Sequence, residues 1–435
     1  MCVKPRSVML CGMHEEVMHD ASAPIAVIGA GAAGLAAAIF AARAGAAVLL
    51  LESTREGGKK ILISGGGRCN VLPASLDPSR FVTASSRHSL RKILLSWPLA
   101  AQRDFFERDL GVPLAFEEET GKFFPASNRA RQVRDALLAR CRSLPVRCRF
   151  GARVSSVHPD GEAGGWTIGL EGGEVLRAAA VVLATGGCSV PASGSDGAGL
   201  RMAAGLGHTI RPTYPALTPL ICAPAVHAGL AGVALRVQVS APRGAGPRTA
   251  TGGFLFTHTG YSGPAVLDLS HRAVLSLMRG EREALAVSWG PSTEEDWERR
   301  LREGQGRILS LLREALPERL AAVLMAEASV EPAASLSHLP RARRRDLIER
   351  LVRYPLPWTG HEGYRKAEVT GGGIALEEVH PETLESRLRP GLHLCGEMLD
   401  AFGPIGGHNF AWAWASGRLA GEGAAARAGA RMLRP

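Results

Sequence analysis

Three glycines and a glutamate near the start of the chain have the types and spacing of a dinucleotide site. In the pattern Gly29-x-Gly31-x-x-Gly34, the first glycine permits a tight turn and the second lets the backbone approach a pyrophosphate. The third lets a helix pack closely on the preceding strand, and the amino end of that helix attracts phosphates. Glu52 ends a later apolar run, where its carboxylate can accept hydrogen bonds from both hydroxyls of an adenosine ribose.

The elements that must position these residues are a strand, a helix and a second strand. The apolar run Ile25–Ile28 leads into the glycines, an alanine-rich helical stretch follows, and a second apolar run, Ala47–Leu51, ends at Glu52. This order predicts the opening unit of a Rossmann-like sheet.

A second glycine-rich stretch, residues 58–70, follows this unit at once. Three consecutive glycines inside a helix or strand carry a large entropic cost, so they predict a loop whose backbone can lie against a flat or charged ligand. The alternative is a plain glycine-rich turn. The candidate contacts in this stretch are Lys60, Ser64, Gly65, Gly66, Gly67, Arg68, Cys69 and Asn70.

Three further turns come directly after apolar strands or before a helix. Thr185 and Gly186 follow the run 178–184, and Gly396 and Glu397 follow another predicted strand. A polar glycine turn before the helix predicted over Phe410–Ala426 is suited to a phosphate or a flavin. The residues of that turn are Gly406, Gly407, His408 and Asn409.

Length and composition bound the class of protein. With 435 residues, 46% hydrophobic and 21% charged, the chain is typical of a globular enzyme of two or three domains. The eight cysteines form no CxxC pair and have no metal-ligand spacing. We therefore expect no disulfide framework, no dithiol centre and no metal site, in a reducing cytoplasm.

Neither a membrane span nor a signal peptide is expected. The uncharged run Ile25–Ala42 is long enough to cross a bilayer, but its three glycines would weaken such a helix and Arg43 closes it. Residues 1–23 contain acids and histidines without an extended apolar region. They predict a disordered extension, with Met13 and Met18 as alternative starts.

The formal net charge of +10 creates a field that favours polyanions. Basic residues are concentrated over Arg80–Arg149 and at positions 341–345. Solvated helix faces and contact with nucleic acid are the two interpretations of these clusters.

The predicted fold class is α/β. The patterns of the dinucleotide domain occupy residues 24–195 and return at 366–435, so this domain is predicted to be discontinuous. The intervening residues 196–365 have strand candidates first and helices afterwards. Other predicted elements are a helix over His88–Asp109, a strand over Val175–Ala184, a helix with Ser262 as its N-cap, and a strand of the opening domain within 366–373.

These motifs together resemble those of the BaiN-type FAD-dependent oxidoreductases, bacterial flavoproteins of the wider glutathione-reductase-like FAD fold. The resemblance runs from about residue 24 to residue 421 and rests on GAGAAGL, KKILISGGGRCN, VVLATGG, LFTHTGYSGPAVLDLS, AEVTGGGI and LCGEMLDAFGPIGGHNFAWAWASG. It implies FAD, a discontinuous FAD-binding domain, and an inserted domain. The inserted domain would have a β-barrel part (about 196–260 and 355–365) and a helical part (about 262–354).

Carried over position by position, the resemblance implies contacts with each part of FAD. The pyrophosphate would be held by the opening glycines with Ala33, the ribose by Glu52, and the adenine by the backbone of Val154. Residues 64–70 would pass along the flavin and phosphates, with Thr185 and Gly186 beside the cofactor. Gly396, Glu397 and residues 406–409 would close over the ribityl chain and the isoalloxazine.

Four positions depart from the usual pattern of the family. Phe402 stands where an acid is usual, Ile405 replaces Thr, His408 replaces Tyr, and Ala411 replaces Gln. These departures leave the implied FAD site intact and indicate a divergent branch.

The resemblance links the chain to reduction of a C=C bond next to a carbonyl. Hydride would pass from N5 of reduced flavin to the β-carbon, and an acid would protonate the α-carbon. His408 is the first candidate for this acid or for a donor to the enolate, because imidazole titrates near neutral pH. Cys69 is the second candidate. The alternative for His408 is a hydrogen bond to the flavin alone.

Two classes of function stay open. The first is an FAD-dependent reductase with NAD(P)H as a transient electron donor, since no second GxGxxG motif occurs. Its substrate would be a uridine of ribosomal RNA, converted to dihydrouridine, or a small enone-type metabolite. The second is a non-enzymatic FAD-binding protein associated with the ribosome. Acceptor-dependent oxidation of NAD(P)H would separate the two classes.

Overall fold

The structure, a computed structural model, describes residues 23–161, 165–241 and 248–432. The predicted disordered extension lies outside these residues, apart from Ala23. The strands of the described residues are β1 (Ile25–Ile28), β2 (Val48–Glu52), β3 (Leu72–Pro73), β4 (Leu114–Glu117), β5 (Lys122–Pro125), β6 (Val146–Phe150), β7 (Val154–Pro159), β8 (Trp166–Leu170), β9 (Val175–Ala178), β10 (Ala180–Leu183), β11 (Ile210–Ala216), β12 (Leu220–Ile221), β13 (Ala234–Ser240), β14 (Thr249–Phe256), β15 (Gly260–Ser262), β16 (Ala286–Ser288), β17 (Tyr354–Pro355), β18 (Gly360–His361), β19 (Val369–Ile374) and β20 (Leu392–Leu394). The α-helices of the same residues are α1 (Ala32–Arg43), α2 (Lys59–Ile63), α3 (Arg87–Leu95), α4 (Leu99–Asp104), α5 (Ala130–Arg142), α6 (Ala198–Gly205), α7 (Pro264–Met278), α8 (Glu294–Glu303), α9 (Ile308–Arg313), α10 (Glu318–Glu327), α11 (Arg341–Val352) and α12 (His408–Met432).

A five-stranded parallel sheet forms the centre of the first core. Its strand order is β20-β10-β1-β2-β6, and every neighbouring pair is parallel. Strands β1 and β2 are buried along their whole length, as expected for a sheet with both faces covered. The predicted Rossmann-like unit is confirmed, with α1 as the crossover from β1 to β2.

Helix α12 packs on α1 because small residues face each other along the contact. A Cβ atom at Gly417 would lie 2.3 Å from the carbonyl oxygen of Ala33, and one at Gly421 would lie 2.3 Å from that of Ala37. The matched spacing means that the two helices run in the same direction. The first turns of α12 therefore extend past the start of α1, towards the cavity described below.

Two predicted elements are wrong in their extent. The strand predicted over Val175–Ala184 is two strands, because β9 pairs antiparallel with β8 and only β10 joins the parallel sheet. The helix predicted over His88–Asp109 is interrupted at Pro98, which has no N–H to donate and ends the preceding helical segment.

Residues between β11 and β19 form a second body, with a sheet and a buried hydrophobic cluster of its own. Seven antiparallel strands lie in the order β17-β16-β13-β14-β15-β12-β18, and the helices α7 to α11 belong to the same stretch of chain. The end strands β17 and β18 are separated by residues 356–359 alone. Closure of this sheet into the predicted barrel stays a prediction, as do the domain boundaries.

Two predictions at the edges of this body are wrong. Strand β19 does not join the opening sheet, because it pairs antiparallel with β11. Gly371 allows this pairing, since a Cβ atom there would lie 2.3 Å from the ring of Tyr214. Ser262 ends β15 and is not the N-cap of α7; that position belongs to Gly263, whose φ is +96°.

The buried hydrophobic side chains form two main clusters. One draws on residues 25–206 and 374–425, and the other on residues 220–358. A small third cluster between them includes Tyr214, Leu267, Val369 and Phe402. The first cluster draws on both parts of the predicted discontinuous domain, which itself stays a prediction, and Val369 and Phe402 of the third cluster line the candidate site.

Candidate active site

A cavity of about 370 Å³ lies at the carboxyl ends of β1, β2 and β10, the edge at which parallel α/β sheets bind ligands. Its lining brings together most of the residues predicted from the sequence. Those residues are Gly29, Gly31, Ala33, Glu52, Lys60, Ser64, Gly65, Gly66, Asn70, Val154, Thr185, Gly186, Glu397, Gly406, Gly407 and Asn409. The predicted residues outside the lining are Gly34, Gly67, Arg68, Cys69, Gly396 and His408.

The three opening glycines have three different reasons to lack a side chain. A Cβ atom at Gly29, whose φ is +102°, would lie 2.5 Å from the carbonyl oxygen of Ala184. One at Gly34 would lie 1.8 Å from the carbonyl oxygen of Gly29. At Gly31 no atom of the described residues lies within 4 Å of the Cβ position, so the backbone there is open to a ligand.

The start of α1 is suited to an anion. Its N-cap is Gly31, and no side chain of the described residues caps it. The first N–H groups of a helix lack partners within the helix and carry the positive end of its dipole. With the open backbone at Gly31, this end forms a cradle that fits the pyrophosphate of a dinucleotide.

Glu52 is buried and held in one orientation by its neighbours. Its Oε2 accepts a hydrogen bond from the Ala30 N–H at 2.8 Å. Its Oε1 accepts bonds from the N–H and the hydroxyl of Thr54, both at 2.8 Å. Because each carboxylate oxygen can accept about two hydrogen bonds, Oε2 keeps one acceptor position for a ligand hydroxyl. That Glu52 accepts hydrogen bonds from both hydroxyls of the ribose stays a prediction.

In the loop at residues 64–70, only the first half has a backbone conformation suited to hold a ligand. Gly65, Gly66 and Gly67 have φ values of +55°, +68° and +86°, a region that side chains disfavour. No atom lies within 4 Å of the Cβ position of Gly66, which faces the cavity. The structure therefore supports a role for this loop beyond that of a plain turn.

Arg68 points away from the cavity, contrary to its predicted role. Its guanidinium donates to Glu117 at 2.7 Å and to Asn128 at 2.9 Å, and it lies 3.8 Å from the ring centroid of Phe124. These contacts hold the strand pair β4–β5 against the loop. The side chain is therefore committed to the protein.

Lys60 and Glu397, predicted separately, form one ion pair in the cavity wall. Lys60 Nζ lies 2.6 Å from Glu397 Oε2 and also donates to the Ser189 hydroxyl at 2.5 Å. Glu397 Oε1 accepts from Ser189 at 2.6 Å and from the N–H and hydroxyl of Thr370 at 3.0 and 2.8 Å. No pattern in the sequence indicates Ser189 and Thr370, because their role depends on this long-range contact.

The two predicted catalytic residues are not brought to the cavity. His408 is 5% exposed, and neither ring nitrogen has a hydrogen-bond partner among the described residues. Burial and the charge of Arg80 lower the pKa of His408 to about 4, so its imidazole is neutral at pH 7. Burial raises the pKa of the Cys69 thiol to about 12, and the side chain is fully covered. Both groups are thus poor proton donors here.

Two acidic residues that sequence reasoning missed lie near the turn at residues 402–407, which contributes Phe402, Gly406 and Gly407 to the cavity lining. Glu368 lines the cavity, and burial, reinforced by the charge of Asp268, raises the pKa of Glu368 to about 7. Asp268 on α7 accepts a hydrogen bond from the Ile405 N–H at 2.7 Å, and burial raises its pKa to about 6. Both belong to motifs recognised in the sequence, but only the fold brings them together.

The comparisons with known proteins agree with this geometry. The family described as HI0933-like protein Rossmann domain matches residues 23–423. The chain belongs to this family. Membership confirms the predicted resemblance and the predicted enzyme class, an FAD-dependent oxidoreductase.

Two relatives are similar over almost their whole length. A 3-dehydro-bile acid delta(4,6)-reductase of Clostridium scindens is 33% identical over 412 residues, which are 93% of this chain and 99% of the relative. A ribosomal RNA dihydrouridine synthase of Escherichia coli is 34% identical over 397 residues, 90% of this chain and 95% of the relative. A flavocytochrome c3 fumarate reductase in its open conformation has a similar fold, with a TM-score of 0.50, 16% identity, and coverage of 93% of this chain and 78% of that one.

Membrane-spanning helices and metal sites are both expected to be absent, and the described residues can be checked for each. Among the described residues, no helix combines the length and apolar character needed to cross a membrane. In the same part of the chain, no group of three or more His, Cys, Asp or Glu side chains could hold a metal ion. The cytoplasmic location stays a prediction.

Proposed function

We propose that this protein reduces a C=C bond conjugated to a carbonyl group, with FAD as bound cofactor and NAD(P)H as transient electron donor. The names of its two relatives support the reaction type, because a delta(4,6)-reductase and a dihydrouridine synthase both saturate a ring double bond. The names differ in substrate, a bile acid and a ribosomal RNA. The shared feature is the reaction and not the molecule reduced.

The observation that carries the proposal is the arrangement of the cavity. One end has a glycine cradle and a fixed carboxylate, Glu52, which fit the pyrophosphate and the adenosine of FAD. The other end has ionisable groups beside apolar walls, which fit a reacting enone. When bound, FAD would supply the hydride.

The residues of the chain would bind, orient and exclude water. The amino end of α1 would hold the pyrophosphate, and Glu52 the ribose. The Lys60–Glu397 pair would fix the wall between the two ends, since both side chains are committed to each other. Phe402 and Trp412, both buried, would shield the reacting end from bulk water.

The arginine-rich helix α11 favours an RNA substrate. Arg344 is bound to Glu298 by its Nε at 3.0 Å. Arg341, Arg343 and Arg345 are exposed on the same helix. Three exposed guanidinium groups on one helix attract the phosphates of a structured RNA. We therefore propose a uridine of ribosomal RNA as the substrate, with a small enone as the alternative.

Anaerobic turnover tests the proposed function. The purified protein should release FAD on denaturation and should oxidise NAD(P)H only when a conjugated acceptor is present. A ribosomal RNA fragment and a steroid with a keto-conjugated double bond are the two acceptors to compare. A protein that holds FAD but oxidises NAD(P)H with neither acceptor would support the non-enzymatic, ribosome-associated alternative.

A further inference from the structure

The cavity is lined by five carboxylates, and four of them are held by other groups of the protein. Glu52 is bound by Ala30 and Thr54, and Glu397 by Lys60, Ser189 and Thr370. Glu56 accepts from Arg134 at 2.8 Å, and Asp196 accepts from Arg153 and from the Ala198 N–H. The fifth, Glu368, makes no side-chain hydrogen bond or ion pair to another described residue.

The backbone of Glu368 is nevertheless fixed. Its N–H donates to the carbonyl oxygen of Leu217 at 3.1 Å, and its carbonyl oxygen accepts from the Ser189 hydroxyl at 3.3 Å. Its neighbours Ala367 and Val369 are buried. The carboxyl group thus extends into the cavity from a rigid support, which is the arrangement that proton transfer requires.

We propose that Glu368 is the proton donor of the reduction: as hydride reaches the β-carbon of the enone, its carboxylic acid protonates the α-carbon. This inference rests on the proposed function. The two added hydrogens balance the step, because the alkene gains hydride, with its two electrons, from reduced flavin and a proton from Glu368. Glu368 is left as a carboxylate and regains a proton from water. NAD(P)H, the proposed electron donor, would supply the two electrons for the next turnover.

The surroundings keep Glu368 partly protonated at neutral pH. The side chain is open to the cavity, yet the protein around it reduces its hydration, and this burial raises its pKa more than the charge of Asp268 does. Lys122 opposes the rise; its side chain packs on Gly406 in the turn beside the cavity. The other charged or titratable groups of this region are Arg80, His408, Lys366 and the Lys60–Glu397 pair.

Glu368→Gln tests the proposal, with Glu362→Gln as its matched control. Glu362 lies six positions earlier, outside the cavity, and neither change alters the size of the side chain appreciably. In Glu368→Gln, FAD content and flavin reduction by NAD(P)H should match those of the wild type. Oxidation of the reduced flavin by the conjugated acceptor should slow by roughly 10²–10⁴-fold. Glu362→Gln should behave as the wild type in both half-reactions.

A second readout does not depend on activity. A carbon-13 titration of glutamate-labelled protein should show one side-chain carboxyl that titrates near pH 7 and is missing in Glu368→Gln. An unchanged acceptor step in Glu368→Gln, or equal slowing of both half-reactions, overturns the assignment while leaving the proposed function intact. A wild-type protein that reduces no conjugated acceptor overturns the proposed function and the assignment together.

Discussion

At the binding end of the cavity Glu52 is fixed by three hydrogen bonds from Ala30 and Thr54. At the reacting end, near the turn at residues 402–407, the carboxyl group of Glu368 has no such partner among the described residues. Donors that surround a carboxylate hold it in one orientation, which suits the binding of a ligand hydroxyl. A carboxylic acid with few partners and poor hydration holds its proton near neutral pH and can give it away. The partners of each carboxylate, more than its presence in the cavity, thus indicate whether it binds or reacts.

The largest effect is expected at the binding end. Substitutions at two of its glycines should distinguish a loss of folding stability from a loss of ligand binding. Gly34→Ala places a methyl group 1.8 Å from the Gly29 carbonyl oxygen, so α1 must move away from β1. We expect the free energy of unfolding of FAD-free protein to fall by about 3 kcal/mol, the upper range for overpacking. Denaturant unfolding measures it, with released FAD as a second readout.

Gly31→Ala is the matched control, because the added methyl group meets no atom within 4 Å. The FAD-free variant should unfold within about 0.5 kcal/mol of the wild type, while its affinity for FAD falls. Equal stability losses in the two variants would contradict the cradle at Gly31.

The pH dependence should distinguish the reacting end from the binding end. Glu368 must be protonated to act, and its pKa is about 7, so the acid form predominates below pH 7 and is lost as pH rises. The rate constant for oxidation of reduced flavin by the acceptor should therefore fall by about tenfold per pH unit above pH 7. Stopped-flow absorbance between pH 5 and 9 measures it, and Glu368→Gln should give a flat profile over this range.

At the binding end, Glu52→Gln should weaken FAD retention without affecting the acceptor step per bound flavin. Glutamine replaces a carboxylate, both of whose oxygens accept hydrogen bonds, by a neutral amide. The loss of one charge-assisted hydrogen bond corresponds to about 1.5–3 kcal/mol of binding free energy. Equilibrium dialysis of FAD measures this loss. Thr54→Val removes one donor to Glu52 and keeps the charge, so it should lose less; equal losses would argue against a direct contact between Glu52 and FAD.

The exposed arginines of α11 should contribute a graded, salt-dependent effect. Replacing Arg341, Arg343 and Arg345 by Glu should weaken binding of a ribosomal RNA fragment and lower the slope of log affinity against log salt by about one unit per lost phosphate contact. Arg177→Glu changes an exposed arginine of β9 that lies outside both basic concentrations, so it should leave the slope unchanged. An unchanged slope in the triple variant would favour the small-enone substrate.

The smallest effect is expected at His408. Its imidazole is neutral at pH 7 and lies outside the cavity lining, with its ring against Phe81. His408→Phe should therefore lower the rate constant for oxidation of reduced flavin by the acceptor by much less than the roughly 10²-fold that removal of a proton donor causes. A loss of that size in stopped-flow experiments would restore His408 as the acid and remove that role from Glu368.

The binding end could be predicted from the sequence because its determinants are local. The glycines from Gly29 to Gly34 lie within six residues, from the end of β1 to the first turn of α1, and Glu52 is one crossover away. The pattern alone therefore places them in one site. The close approach at Gly34 and the open backbone at Gly31 follow the roles expected from their spacing.

The reacting end could not be predicted in the same way because its determinants are distant in sequence. Asp268 and Glu368 come from different elements, and neither has a spacing that reveals the other. Arg68 stands in a motif, but its pairing with Glu117 depends on the strand pair β4–β5. The ordinary pKa of imidazole makes His408 a candidate acid, but burial lowers the pKa of His408 to about 4.

The most direct test of the account is a single anaerobic turnover of wild-type protein. Flavin reduced by NAD(P)H is mixed with the ribosomal RNA fragment or the keto-conjugated steroid, while flavin absorbance and product mass are followed. One acceptor should reoxidise the flavin and yield one equivalent of the saturated product per flavin. Flavin that stays reduced with both acceptors, and is reoxidised only on admission of oxygen, would contradict it.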